Sequence, residues 1–219
     1  MMDDPAIDPE EHRRALRGLA RLNRLAAIDR TVWNTLDPLL CRREASILDI
    51  AAGSGDLAVA LARRAARGDR PYAFSACDIS PTAMRAACDH ARAEGLCIET
   101  SVLDALRDPL PRHHAVVMCH LFLHHLDEAD IVALLARMKD AARHAVLVTD
   151  LTRSAAGFAL AAAASRFATR SPVVHADALL SVRAALTPGE LEQLANDAGL
   201  RRARIRTVWP ERIILTWTR

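Results

Sequence analysis

Apolar and polar positions follow two rhythms along this chain. Over residues 10–41 the apolar side chains Leu16, Leu19, Leu22, Leu25, Ile28, Val32, Leu36 and Leu39 recur every three or four positions, the spacing of one helical face. Beyond residue 44 short apolar runs of strand length take over: SILDI (46–50), YAFSACD (72–78), CIETSV (97–102), AVVMCHL (115–121) and HAVLVTD (144–150). Helical spacing fills the gaps at about 56–67, 81–94 and 127–142. Ser80 followed by Pro81 starts one of these helices, and Asp127 caps another. Strand, helix, strand at this rhythm predicts an α/β fold, a doubly wound parallel sheet with helices on both faces. No repeat or low-complexity linker divides it.

The rhythm breaks near the end. TPGELEQLANDAGL reads as a helix with Thr187 as cap, Glu190 completing a capping box and Gly199 as terminator. RRARIRTV (201–208) and RIILTWT (212–218) are strand runs separated by WPE, a turn short enough to join antiparallel neighbours. The sheet is therefore expected to be seven-stranded and mostly parallel, closed by a terminal antiparallel hairpin. Residues 1–44 form a helical segment ahead of the domain at 45–219, and about 151–187 is an insert that reads as a helical lid.

Composition narrows the function classes. The 219 residues suffice for one α/β domain with a full core. A net charge of +2 and few aromatics supply neither a basic track nor a stacking platform, so no nucleic-acid partner is expected. Lys139 is the only lysine and alanine is abundant, a compositional bias that precedes function. The five cysteines form no CxxC pair, and the chain opens on a polar, acidic stretch, not a signal peptide. Both features fit a reducing cytoplasm. The most apolar run, residues 154–165, is too short to cross a bilayer.

The first strand ends in a turn that carries chemistry. Gly53-Ser54-Gly55-Asp56-Leu57-Ala58 reads G-x-G-x-x-A, a turn whose glycines let backbone approach a nucleotide-like ligand. Neither glycine has an evident packing purpose. No Gly-Lys-Ser/Thr follows, which excludes a P-loop. A dinucleotide site satisfies the turn but leaves Asp49, inside the first strand, and the terminal hairpin without explanation.

Asp49-x-x-x-Gly53-x-Gly55 resembles motif I of the class I S-adenosylmethionine-dependent methyltransferases. The resemblance continues through Asp78 at the end of the second strand, LDALRDPLP (103–111) and AVVMCHLFLHHL (115–126), and covers residue 45 to the last residue. It implies S-adenosylmethionine as cofactor, held by Asp49, Ala51, Gly53, Gly55, Asp78, Ile79, Asp104, Ala105 and His120. Asp78 would accept hydrogen bonds from the ribose diol, and Asp104 and Ala105 would lie near the adenine. Local roles stay open beside these: Asp78 as a helix cap, Asp104 as a turn-former, Asp49 as a partner for backbone.

Methyl transfer from a sulfonium needs nucleophile and methyl held collinear, and an oxygen acceptor benefits from a base. His124 and His125 leave the fourth strand where an open sheet places its site, and at most one of them fits the base's role; both serve equally as loop architecture. Cys119, His120 and these histidines lack the partner spacing of a zinc site, so no metal is expected. Asp150 stands where magnesium-dependent relatives place an acid, but the fourth strand ends in Cys119-His120, without the second acid. Within the insert, Phe158, Leu160, Phe167, Val173 and Val174 offer apolar contact, and VVHADALLSVRAALTPGEL is similar to methyltransferases of polyketide and quinone pathways. His175, Asp177 and Arg183 are then candidates for the acceptor's polar head, or surface groups. The expected acceptor is a small, largely apolar aromatic, quinol-like or polyketide-like molecule, methylated on oxygen more readily than on carbon. An NAD(P)-dependent oxidoreductase and a non-catalytic S-adenosylmethionine-binding protein are the rivals. The former would want a catalytic Tyr/Lys pair, whereas Tyr72 and Lys139 lie away from the expected cleft. No integral membrane association is expected; a homodimer stays open, and the sequence does not fix the oligomeric state.

Overall fold

The computed structural model describes residues 28–40, 45–168 and 172–219. Its strands are β1 (Ala45–Ile50), β2 (Tyr72–Asp78), β3 (Ile98–Val102), β4 (Val116–His120), β5 (Ala145–Leu151), β6 (Arg204–Val208) and β7 (Arg212–Thr218). They form one sheet in the order β3-β2-β1-β4-β5-β7-β6, parallel from β3 to β5, with β7 antiparallel to both its neighbours. The chain winds outward from β1 to β3 and then restarts on the other side at β4. A switch point therefore opens beyond the carboxyl ends of β1 and β4, where open α/β sheets bind ligands.

Side chains alternate across the sheet, and each face has its own core. Ile47, Val116, Met118, Leu147 and Ile214 pack against helices α1 (Ile28–Leu40) and α2 (Asp56–Arg67), beside α3 (Pro81–Ala93). Leu48, Ile50, Val117, Val146 and Leu215 pack against α4 (Glu128–Ala141) and the late helix Pro188–Asp197. In α1 the buried positions Ile28, Val32, Leu36 and Leu40 form a stripe of one residue per turn. Two ion pairs fasten it, Arg64 to Asp29 at 2.7 Å and Arg70 to Asp37 at 2.8 Å, and Tyr72 Oη donates to the same Asp37. The expected helical positions Leu16, Leu19, Leu22 and Leu25 lie outside the described residues.

The segment after β5 forms two helices, α5 (Ala155–Ala168) and α6 (Pro172–Ala184), packed on each other. The late helix Pro188–Asp197 is therefore α7. A parallel bridge between Thr152 and Leu186 closes the base of this helical pair. Arg153 also pairs with Glu190, and Ser154 Oγ donates to Glu211 at 2.5 Å. The side chains of Phe167, Val173, Val174 and Asp177 lie outside the described ones. α6 packs against a short 3-10 turn, Leu123–His125. Strand β6 begins three residues later than the apolar pattern suggests, because Arg202 turns at φ 62° before the strand starts. No helix among the described residues is long and apolar enough to cross a membrane.

Candidate active site

The loop leaving β1 is built from left-handed backbone: Ala51 at φ 53°, Gly53 at φ 54° and Gly55 at φ 71°. Leu121 adopts φ 53° just past β4, so strained backbone flanks the switch point on both strands. The two glycines differ in what they exclude. A Cβ on Gly55 would stand 2.7 Å from the Cβ of Ala87 on α3, whereas one on Gly53 would meet nothing within 4 Å. Gly55 thus has the packing purpose that sequence alone did not reveal, and Gly53 borders open space.

Asp78 ties this loop to β2. Its Oδ2 accepts from Gly53 N–H and its Oδ1 from Ser80 N–H, both at 2.9 Å. Helix α3 is capped by Ser80, whose Oγ accepts from Ala83 N–H, so the cap role belongs to Ser80. Each carboxylate oxygen of Asp78 keeps further acceptor capacity. Beside it Ile79 is 68% exposed, an apolar side chain presented to open space. Asp104 organises its own turn: its Oδ1 accepts from Leu106 N–H and its carbonyl from Arg107 and Asp108 N–H. Ala105 next to it is buried.

Asp49 is buried within β1, on the face that meets α1 and α2, and its Oδ1 has no hydrogen-bond partner. Burial first, and the nearby charge of Asp78 second, push its carboxyl up to about 8. An orphaned acid of this kind suits a ligand that brings a cation or donors. With the open space at Gly53, the spare acceptors of Asp78 and the bare face of Ile79, these residues fit an amino-acid nucleoside such as S-adenosylmethionine.

Across the switch point stand the histidines. His120, at the end of β4, lies 2.6 Å through Nδ1 from Thr149 Oγ1. Burial, then the charge of Arg212, push it down to about 3, so it is a neutral imidazole at physiological pH. In the 3-10 turn the side chain of His124 is enclosed, with Nδ1 2.6 Å from Asp150 Oδ1, while its backbone N–H donates to Asp150 Oδ2 at 3.2 Å. Burial works against ionisation of Asp150. The hydrogen bonds and charge of His124, with the N–H of Leu151, outweigh it and hold the carboxyl below its ordinary range. The ring of His125 stacks on that of His124 with centroids 4.1 Å apart. Sequence reading marked Asp150 only as an acid after the fifth strand; its pairing with His124 crosses from β5 to the β4 exit and has no local signature.

On α6, His175 is half-buried and Arg183 is exposed with its guanidinium 5.1 Å from the centroid of the Phe158 ring on α5. No group of three or more His, Cys, Asp and Glu side chains converges as a metal site among the described residues. A groove of about 760 Å³ is lined by Trp33, Ala60, Arg67 and His90, with Asp56, Leu57 and His120 also in its wall.

Residues 47–145 match the family described as a methyltransferase domain. This stretch, from β1 to the start of β5, is thus similar to methyltransferase domains, and the sheet has the class I methyltransferase fold. The whole described sheet agrees with solved methyltransferases. The S-adenosylmethionine-dependent methyltransferase SibL is 19% identical with a TM-score of 0.70, over 97% of this chain and 60% of SibL. The plantazolicin methyltransferase BpumL, solved with SAH, is 15% identical at TM-score 0.70, over 96% and 90%. An O-methyltransferase family 2 protein from Planctomyces limnophilus, solved with apigenin, is 16% identical at TM-score 0.67, over 98% and 63%. The chain thus spans less than two thirds of SibL and of the Planctomyces protein. No curated protein matches it in sequence.

Proposed function

We propose that the protein transfers a methyl group from S-adenosylmethionine to an oxygen of a small, largely apolar aromatic, quinol-like or polyketide-like acceptor. The observation that carries this reading is the His124–Asp150 pair at the carboxyl ends of β4 and β5, on the side of the sheet where the glycine loop leaves β1. When bound, the cofactor supplies a methyl activated on its sulfonium. Asp49, Gly53, Asp78 and Ile79 hold it, with Asp104 and Ala105 at the adenine side. Asp150 fixes the proton of His124 on Nδ1, which leaves Nε2 as the lone pair that takes the acceptor's hydroxyl proton. His120, neutral and tied to Thr149, shapes the cleft without competing for that proton. Helices α5 and α6 serve as the acceptor lid, with His175 and Arg183 toward the acceptor's polar groups. The apigenin held by the Planctomyces protein supports a phenolic acceptor.

Calorimetric titration with S-adenosylhomocysteine, beside NAD(H) and NADP(H), tests the cofactor. Saturable binding of the homocysteine compound alone is expected; binding of a dinucleotide alone overturns the reading. Phenolic acceptors screened with labelled methyl donor then test transfer. His124→Asn should lower kcat by about 10²–10⁴-fold while S-adenosylhomocysteine binding stays unchanged. Retained turnover in that variant removes His124 from the mechanism.

A further inference from the structure

A net charge of +2 conceals an uneven surface. The loops at the amino ends of the parallel strands are stitched side by side by backbone. Arg143 N–H donates to the carbonyl of His114, His144 N–H to that of Ala115, and Arg219 N–H to that of His144. Ala145 of β5 is in register with Val116 of β4 and Thr218 of β7, and Arg204 of β6 with Thr216. Lys139, near the end of α4, donates to the carbonyl of Ala198 and joins the loop before β6 to the same row. Arg112, Arg143, Arg201, Arg202, Arg204 and Arg219 are all exposed along it. In the sheet order β5 and β7 separate β4 from β6, so the row is roughly 15 Å long.

Pairing sets this row apart. Elsewhere Arg63 meets Glu94, Arg64 meets Asp29, Arg70 meets Asp37, Arg107 meets Asp104 and Arg153 meets Glu190. None of the arginines in the row has an ion-pair partner among the described residues, and the described acids at the neighbouring helix ends are Asp140 and Asp197. Like charges held together repel one another, and such a surface favours a polyanion. We propose that the amino-terminal pole of the sheet, from β4 to β6, docks an acidic helix of a partner protein. Carboxylates three or four positions apart on a helix lie about 5–6 Å from one another. That matches the ~4.8 Å between neighbouring strands, so one helix laid across the strand ends meets successive arginines. Each guanidinium can grip a carboxylate through two parallel N–H donors.

Other polyanions fit this pole less well. The exposed large apolar side chains among the described residues are Ile79, Val102, Leu180 and Trp209, and none of them lies in the row. A bilayer would find no apolar anchor there, and nucleic-acid bases no stacking surface. The cleft lies at the opposite ends of the same strands, a full length of β5 away, roughly 20 Å. A bilayer on this pole would face away from the cleft and could not hand it an apolar acceptor. A docked protein leaves the cleft open, so the partner tethers the enzyme without entering the transfer of the methyl group.

Titration of the intact protein with a synthetic helical peptide tests the proposal. The probe is alanine-based, about 15 residues long, with glutamates three or four positions apart along one face. Amide NMR shifts should move at Arg143, Arg202, Arg204 and their neighbours and stay still at the glycine loop. Binding should weaken as salt is added. A protein carrying Arg143→Gln, Arg202→Gln and Arg204→Gln together should bind the peptide about tenfold more weakly and S-adenosylhomocysteine as before. Removing the same charge elsewhere, with Arg67→Gln, Arg85→Gln and Arg92→Gln, should weaken the peptide by less than about twofold. The proposal falls if the peptide does not bind the intact protein, if the shifts map to another face, or if both variants lose affinity alike. Tighter binding of phosphatidylglycerol vesicles or of duplex DNA than of the peptide also overturns it, in favour of a lipid or nucleic-acid partner.

Discussion

Asp49 carries the clearest pH dependence in the molecule. Its carboxyl titrates near 8 in the folded chain, against about 3.9 for an exposed aspartate. Between those values the folded state holds a proton that the unfolded state has released, so stability falls as pH rises from 4 toward 8. Asp49→Asn should remove that slope and be more stable than the native chain at pH 8 by about 1 kcal/mol or more, while losing S-adenosylhomocysteine binding. Urea melts at pH 6 and pH 8 would measure both arms. A native slope that matches the variant's refutes the buried-acid account. The two glycines of the loop should separate in the same way. Gly55→Ala forces a methyl onto Ala87 in left-handed backbone, and its stability should drop by about 2 kcal/mol or more. Gly53→Ala meets open space and should lose only about 1 kcal/mol, from backbone strain, with a much larger loss in cofactor affinity. Thermal melts set against calorimetric titration distinguish the pair.

Local signals gave the elements their type and most of their ends. Ser80 and Asp127 accept from Ala83 and Asp130 N–H as their positions in the sequence predict, and Thr187 and Glu190 complete the capping box. Each depends on neighbours within a turn, so each is legible in a short window. The anchoring of α5 is not, because it depends on a residue far along the chain. Ser154 Oγ accepts from Gly157 N–H, starting α5, and donates to Glu211 at the hairpin between β6 and β7. Ser154→Ala should cost about 1 kcal/mol of local stability and speed amide exchange in α5, with exchange in α2 unchanged. An equal change of exchange in the two helices would refute the anchoring role of Ser154.

At the scale of the whole molecule, the strand sequence and terminal hairpin were legible because each run is short, apolar and bounded by turn signals. The site was legible only where it follows the chain: the glycine loop, and Asp78 at a strand end. What joins the site across strands was not. Thr149 beside His120 and Asp150 beside His124 come from β5, brought next to β4 by the sheet order. The lone tyrosine and lysine, whose absence from the cleft argued against a reductase, have structural posts: Tyr72 on Asp37, and Lys139 donating to the carbonyl of Ala198. The hairpin has an optical consequence. Trp209, 76% exposed, sits two residues from Glu211, the side chain that grips the base of the α5–α6 pair. Trp33 is instead stacked near Tyr72, and Trp217 lies under Arg219 at the far end of the sheet. The protein therefore contains its own fluorescent gauge of the lid movement proposed for the α5–α6 pair. Emission from Trp209 should shift when an acceptor draws the helical pair inward, and a Trp209→Phe protein should bind equally well and stay dark to it.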